Sequence, residues 1–177
     1  MNNKLFIILI IVFQFLLMNK IFSKEIEFNA NEIEVLDGGN ETIAKNGTVL
    51  IQKDKISATG RIIRYIKNKS LLIVNDGTIK KLDDNLEINS EIIQYNINQS
   101  NLYLKSNVQI NDNANNIEIN TDEINYNLNK QQIESSSNSE IKDNLGNIYR
   151  VSQFGYNLED RIIKLSDLEV LDVDKNK

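Results

Sequence analysis

Four tyrosines recur at a near-constant interval. Tyr65, Tyr95, Tyr126 and Tyr156 are separated by 30, 31 and 30 residues. The text before them is shared: Ile56-Ser-Ala-Thr-Gly-Arg-Ile-Ile-Arg-Tyr65 aligns with Leu86-Glu-Ile-Asn-Ser-Glu-Ile-Ile-Gln-Tyr95 and with Ile117-Glu-Ile-Asn-Thr-Asp-Glu-Ile-Asn-Tyr126. The text after them matches too, as Tyr95-Asn-Ile-Asn, Tyr126-Asn-Leu-Asn and Tyr156-Asn-Leu-Glu. A fixed period of this size marks a stacked array, in which each unit is too small to bury its own apolar face and leans on its neighbours.

Within the units the apolar positions alternate with a period near two. Ile, Val, Tyr and Thr fill them, and Asn, Asp, Gly and Ser interrupt them every ten to fifteen residues. This pattern predicts strands joined by tight polar turns, with no amphipathic helix. The expected fold is all-β and antiparallel, about ten strands in five two-strand repeats, with an imperfect first repeat in which Asp37 takes the place of the Tyr. The alternation also changes phase inside a strand. Ile56 and Ala58 share one parity, Ile63 and Tyr65 the other, and the same switch separates Ile117 and Ile119 from Ile124 and Tyr126. Keeping both halves inward requires a bulge near Gly60-Arg61 and Thr121-Asp122. Repeated in successive units, such bulges would crease the whole sheet into a trough or a flattened barrel.

Composition closes several doors. The chain has no His and no Cys, and a net charge of −5 with its cations scattered. It offers no imidazole base, thiol nucleophile, ordinary zinc site or basic stripe for nucleic acid. No catalytic residue, metal or cofactor is expected, and the chain does not read as an enzyme. The first residues form a separate segment. A short positive start ending at Lys4 is followed by an apolar run from Leu5 to Met18 and a candidate cleavage point after Ser23. That run is short for a bilayer-spanning helix, which takes about 20 residues, and fits a signal peptide. The division expected is a signal peptide over 1–23, one β domain over 24–172 and a charged tail over 173–177. An uncleaved anchor reaching Phe22 is the alternative.

Each candidate site has a plain structural reading beside it. The Tyr column is either packing or the lining of a binding surface. The acidic pairs Asp83-Asp84, Asp122-Glu123 and Glu159-Asp160 could be a glycosidase's two carboxylates, but they fall in or beside turns, where solvated acids are ordinary. The inward aliphatic columns remain: Ala30, Ala58, Ile88 and Ile119 in one, Val35, Ile63, Ile93 and Ile124 in the other. A crease lined this way would suit acyl chains, whose burial needs no directional bonds. A closed core fits the same residues.

The strand ending Arg61-Ile-Ile-Arg-Tyr65, followed by Val74-Asn-Asp-Gly-Thr-Ile79, resembles the OstA-like (LptA-type) domain family, in which a strand of the form i-x-A-D-x-i-x-Y precedes one of the form G-x-V. Ala30-Asn-Glu-Ile33 and Asn46-Gly-Thr-Val49 repeat the correspondence, and the likeness runs from about Phe28 to Leu168. It implies a periplasmic β-jellyroll whose apolar groove carries lipopolysaccharide toward the outer membrane, with Ala58, Ile63, Ile88, Ile93, Ile119 and Ile124 as groove residues. Three members of the family fit different parts of the chain: the soluble bridge, the inner-membrane-anchored protein, and the N-terminal domain of the outer-membrane translocon. Asp143 to Arg150, leading to Phe154-Gly-Tyr156, looks most like the last of these. Tethering to the outer membrane and contact with translocon components would follow. A competing architecture is the β-helix of a cell-surface adhesin or polysaccharide-binding protein.

An open sheet leaves two edges whose unpaired N–H and C=O groups attract another strand. The first strand, Ile26 to Leu36, has neither Pro nor Lys, and the last, Ile162 to Val170, has a single Lys. Both edges are therefore expected to be occupied by related OstA-like domains stacked head to tail through β-augmentation. Ile33 and Val35 would make the contacts on one side, Ile163 and Leu165 on the other.

Overall fold

The structure is a computed structural model that describes residues 26–171; the expected signal peptide and charged tail lie outside the described residues. Seven long strands run in sequence: β1 (Ile26–Leu36), β2 (Glu41–Ile51), β3 (Ile56–Ile66), β4 (Leu71–Lys81), β5 (Leu86–Asn96), β6 (Asn101–Asp112) and β7 (Ile117–Asn127). Six short ones follow: β8 (Gln132–Ser135), β9 (Ser139–Lys142), β10 (Ile148–Val151), β11 (Gln153–Asn157), β12 (Ile162–Ser166) and β13 (Glu169–Leu171). Short 3-10 turns at Asp37–Gly39 and Lys67–Lys69 replace simple turns.

All thirteen strands join one sheet, and every pairing is antiparallel. That excludes the parallel coils of a β-helix. β1 to β7 pair in simple succession. β7 then meets β8 over one half of its length and β9 over the other, and the sheet continues as two branches, β8-β11-β12 and β9-β10-β13. The six short strands are thus three chain passes, each cut in two, which accounts for thirteen strands where the sequence suggested about ten.

The phase change is present where the alternation placed it. In β3, Ile56, Ala58 and Gly60 are buried, and so is Ile63 after the switch. The Cα register steps from Gly60↔Gly77 to Ile62↔Asn75, passing over Arg61 and Asp76. The backbone takes the bend on the partner strand. Asn46, Asp76, Ser106 and Asn107 all adopt left-handed φ, between 48° and 67°. Asn and Asp tolerate that conformation better than other non-glycine residues. The two half-sheets face each other across the crease, as the tilted contact of Phe28, from the first half of β1, with Tyr65, from the second half of β3, shows (ring centroids 6.3 Å apart). The apolar core fills the space between them.

Candidate lipid groove and sheet edges

The inward side chains form rows across the strands. One row on the first half-sheet joins Phe28, Val49, Ala58, Ile79, Ile88, Ile110, Ile119 and Ile141. Another, on the second half-sheet, joins Ile33, Ala44, Ile63, Val74, Ile93, Leu104 and Ile124. All six expected groove residues lie in these two rows and are buried. The first repeat is shifted from the sequence reading. Phe28, not Ala30, heads the row of Ala58, and Ile33, not Val35, heads the row of Ile63.

Val35 instead begins the tyrosine row, which passes through Thr42, Tyr65, Leu72, Tyr95, Leu102 and Tyr126 to Tyr156 and Ile163. Asp37 lies beyond it, in the turn. The shift has a simple cause: β1 ends at Leu36, and the chain enters a three-residue 3-10 turn at Asp37, where the later units still run as strand. Tyr95, Tyr126 and Tyr156 are fully buried, so the column is packing. Between the rows, along the crease, runs a third made of Ala30, Gly47, Gly60, Gly77 and Ser90. A Cβ on Gly47 would stand 2.4 Å from that of Ala30, and one on Gly60 2.3 Å from Val74 Cγ1, so the corner has no room for side chains there.

Of the paired acids, Asp83 and Glu123 are held by neighbours. Asp83 accepts from Lys55 Nζ at 2.7 Å, which lowers its carboxyl below the usual range. Glu123 accepts from the Tyr103 hydroxyl at 2.9 Å, a bond that raises the phenol. A hollow of about 650 Å³ lies away from the aliphatic rows, lined by polar side chains that include Asn107, Gln109, Asn120, Asp122 and Arg150.

Two long-range acid–tyrosine contacts, one buried and one partly buried, escaped the sequence reading. Asp54, in the β2–β3 turn, accepts from the Tyr95 hydroxyl and from Ser100 Oγ (2.9 Å). Asp112 accepts from the Tyr156 hydroxyl at 2.5 Å, while Asn115 Nδ2 reaches the same phenol at 3.2 Å. Burial, then the Asp112 carboxylate, pushes the Tyr156 phenol well above its ordinary value. These partners lie more than 40 residues apart, at opposite ends of their strands. No local spacing signals such a pair.

The edges differ from the interior. Among the described residues, β1 pairs only with β2, and the opposite rim is made of β12, which pairs only with β11, and β13, which pairs only with β10. Ile33 is 50% exposed and Val35 61%, although their row partners Ile63 and Tyr95 are fully covered. On the far rim Ile163 and Leu165 are half-buried and pack against the core. The apolar interior therefore runs out to solvent at β1.

A family model described as LptC, lipopolysaccharide-assembly, LptC-related, matches residues 63–168, more than half of the chain. Among solved structures the chain is similar to the crystal structure of LptH, the LptA-homologous periplasmic component of the conserved lipopolysaccharide transport device from Pseudomonas aeruginosa. Identity is 10% and the TM-score 0.34, over 83% of this chain and 94% of that one. No curated protein matches. Proteins of the matched family are non-enzymatic and belong to the periplasmic transport of lipopolysaccharide. An all-β folded sheet with an aliphatic interior is what that role asks for, and the chain belongs to the LptC-related lipopolysaccharide-assembly family.

Proposed function

We propose that this chain is a lipopolysaccharide-carrying bridge domain, with acyl chains taken between the rows of Ala58, Ile88 and Ile119 and of Ile63, Ile93 and Ile124. The observation that carries this reading is the end of the second row. It is covered through β3 to β7 and half-exposed at Ile33, on an edge strand that has no strand on its outer side among the described residues. A second folded sheet added there would extend both the ladder and the apolar interior. The partners are other OstA-like domains, joined head to tail, β1 of this chain receiving the last strand of the domain before it, and Ile163 and Leu165 contributing to the opposite junction. Of the three positions in the bridge, the LptC-related match favours the inner-membrane-anchored protein over the translocon domain that residues 143–156 suggested.

A photo-crosslinking side chain at Ile63, Ile93 or Ile124 is expected to capture lipopolysaccharide, and one at the outward Arg64, Gln94 or Asn125 is not. Equal labelling of both sets would remove the groove. Replacing Ile33 with Pro takes away a backbone donor and obstructs the edge. Association with a related domain is then expected to fail while the folded sheet survives, and unchanged affinity would count against the bridge.

A further inference from the structure

The two ends of the long strands meet. Turns at one end (52–55, 82–85 and 113–116) form one rim of the folded sheet, and turns at the other end (97–100, 128–131 and 158–161) form the second. The Asp54–Tyr95 and Asp112–Tyr156 bonds cross from rim to rim, and Lys53 Nζ adds a bond to the Ile97 carbonyl at 3.1 Å. Under this seam Ile51, Ile56, Leu86, Ile97 and Leu128 are buried. The interior is closed along its mouth, though it opens axially at β1.

A lipid whose acyl chains lie inside must leave its sugar and phosphate head group in water, because burying unpartnered polar groups is costly. For chains lying beside β3 to β7, away from the open end at β1, the head group can protrude only through the mouth, so an occupied middle and a closed seam are incompatible. Backbone ladders would make the seam permanent. Here the rims are joined by side-chain bonds, which a ligand can displace without breaking a strand.

We propose that the seam is a latch: the Asp54–Tyr95 and Asp112–Tyr156 bonds hold the folded sheet shut when empty, and acyl chains load by parting the rims there. This rests on the carrier function proposed above. The middle of the seam is already its weak point. The Tyr126 hydroxyl and Asp84 Oδ2 are both buried without a hydrogen bond, and Asp84 Oδ2 is ion-paired on its own rim with Lys81 Nζ at 3.4 Å, not across the seam. The Asp84 and Asp112 charges, after burial itself, raise the Tyr126 phenol, so the two acids act on it across the rims. A bonded rung on either side of an unbonded one is what a seam meant to open from its middle would have.

The chain has no cysteine of its own, so a disulfide can be placed across the rims alone. In the full chain, Asp54→Cys with Ser100→Cys is loaded with purified lipopolysaccharide, oxidised or reduced, and bound lipid is measured after gel filtration. Loading is expected in the reduced protein, at least tenfold less in the oxidised one, and restored by reductant. Equal loading of the two forms overturns the latch while leaving the carrier function standing. Absence of loading in both, with the folded sheet intact by circular dichroism, overturns the carrier function and the latch with it. Tyr95→Phe with Tyr156→Phe keeps the rings and removes the rungs. It is expected to load severalfold faster at equal final occupancy, and an unchanged rate would mean that the bonds only pack the rim.

Discussion

The sheet turns the same corner throughout, and it does so by two means. In β1 to β4 each strand is continuous and the inside of the corner is nearly empty: Ala30, Gly47, Gly60 and Gly77 occupy the crease row, and Asn46 and Asp76 bend the backbone through left-handed φ. Beyond β7 the crease row holds Thr121, Ser139 and Val151, and the strands are interrupted between β8 and β9, at Ser152, and between β12 and β13. The strands between are transitional. With Ser90 in the row, the β5–β6 pairing shifts register, and two residues, Ser106 and Asn107, take left-handed φ. Size at the inside of the corner decides the outcome. A strand can fold sharply where there is no side chain to crush; where one must fit, the ladder breaks and hydroxyls replace its bonds.

The largest effect is expected at a glycine of the continuous region. In Gly77→Ala the new methyl would stand 2.7 Å from the Thr59 carbonyl oxygen and 2.5 Å from Val74 Cγ1. The backbone oxygen cannot retreat cheaply, so the substitution is expected to cost about 2–3 kcal/mol, the range of core overpacking. Gly155→Ala in β11 meets nothing within 4 Å and is expected to change stability by less than about 0.5 kcal/mol. Urea unfolding of the two variants measures both. Gly155 lies outside the crease, so equal losses would show that crowding at the corner is not what makes Gly77 intolerant.

A smaller effect tests the interrupted region. Ser139 Oγ donates to Thr121 Oγ1 at 2.9 Å, and Thr121 Oγ1 lies 3.1 Å from Ser135 Oγ, so three buried hydroxyls bridge β7, β8 and β9 where the sheet divides. Thr121→Val removes one bond from each of the other two, which keep Ser137 as a partner, and is expected to cost about 1 kcal/mol. Thr59→Val removes a similar contact, 3.0 Å from Thr48, on the exposed outer face, and there the change is expected to stay within about 0.5 kcal/mol. If the outer pair matters as much as the inner one, hydroxyls are not what holds the branch point.

These two regions were unequally legible. The tyrosine spacing and the parity switch at Ile63 located strands, turns and crease, because period and phase are local properties of the chain. The left-handed residues had a local signal too, in Asn46-Gly47 and Asp76-Gly77. The division into branches had none, since Ser135 to Ser139 reads as a polar turn whether it joins two strands or cuts one. Nor did the seam. Asp84 reads as half of a solvated acidic turn, and only closure of the sheet carries it, with Asp54 and Asp112, against tyrosines of a later unit. The offset at Val35 arises because Asp37, in the place of the later tyrosines, is already in a 3-10 turn that its sequence does not announce.

The smallest effect belongs to the two edges. β1 is tied to β2 by Lys45 Nζ and Glu32 Oε2, 2.7 Å apart, whereas among the described residues no ion pair joins β12 to β11. The bond from Lys45, then its charge, holds the Glu32 carboxyl below the ordinary carboxylate range. A carboxylate lowered in the folded state adds stability that is present above its unfolded value and lost as pH falls through the folded one. The pair is exposed to water, which keeps its contribution small. Hydrogen exchange in β1, corrected for the intrinsic pH dependence of amides, is therefore expected to lose less than about twofold in protection between pH 6 and pH 3, an effect the size of a weak surface pair. β12 is expected to lose none, and Lys45→Gln is expected to remove the dependence from β1. A fall of equal size in β12, or one that survives Lys45→Gln, would place the acid sensitivity of the edge elsewhere than in this pair. A loss confined to β1 would show that this edge, the one left open for a partner, is held to its sheet partly by charge, so that acid loosens it before it loosens the interior.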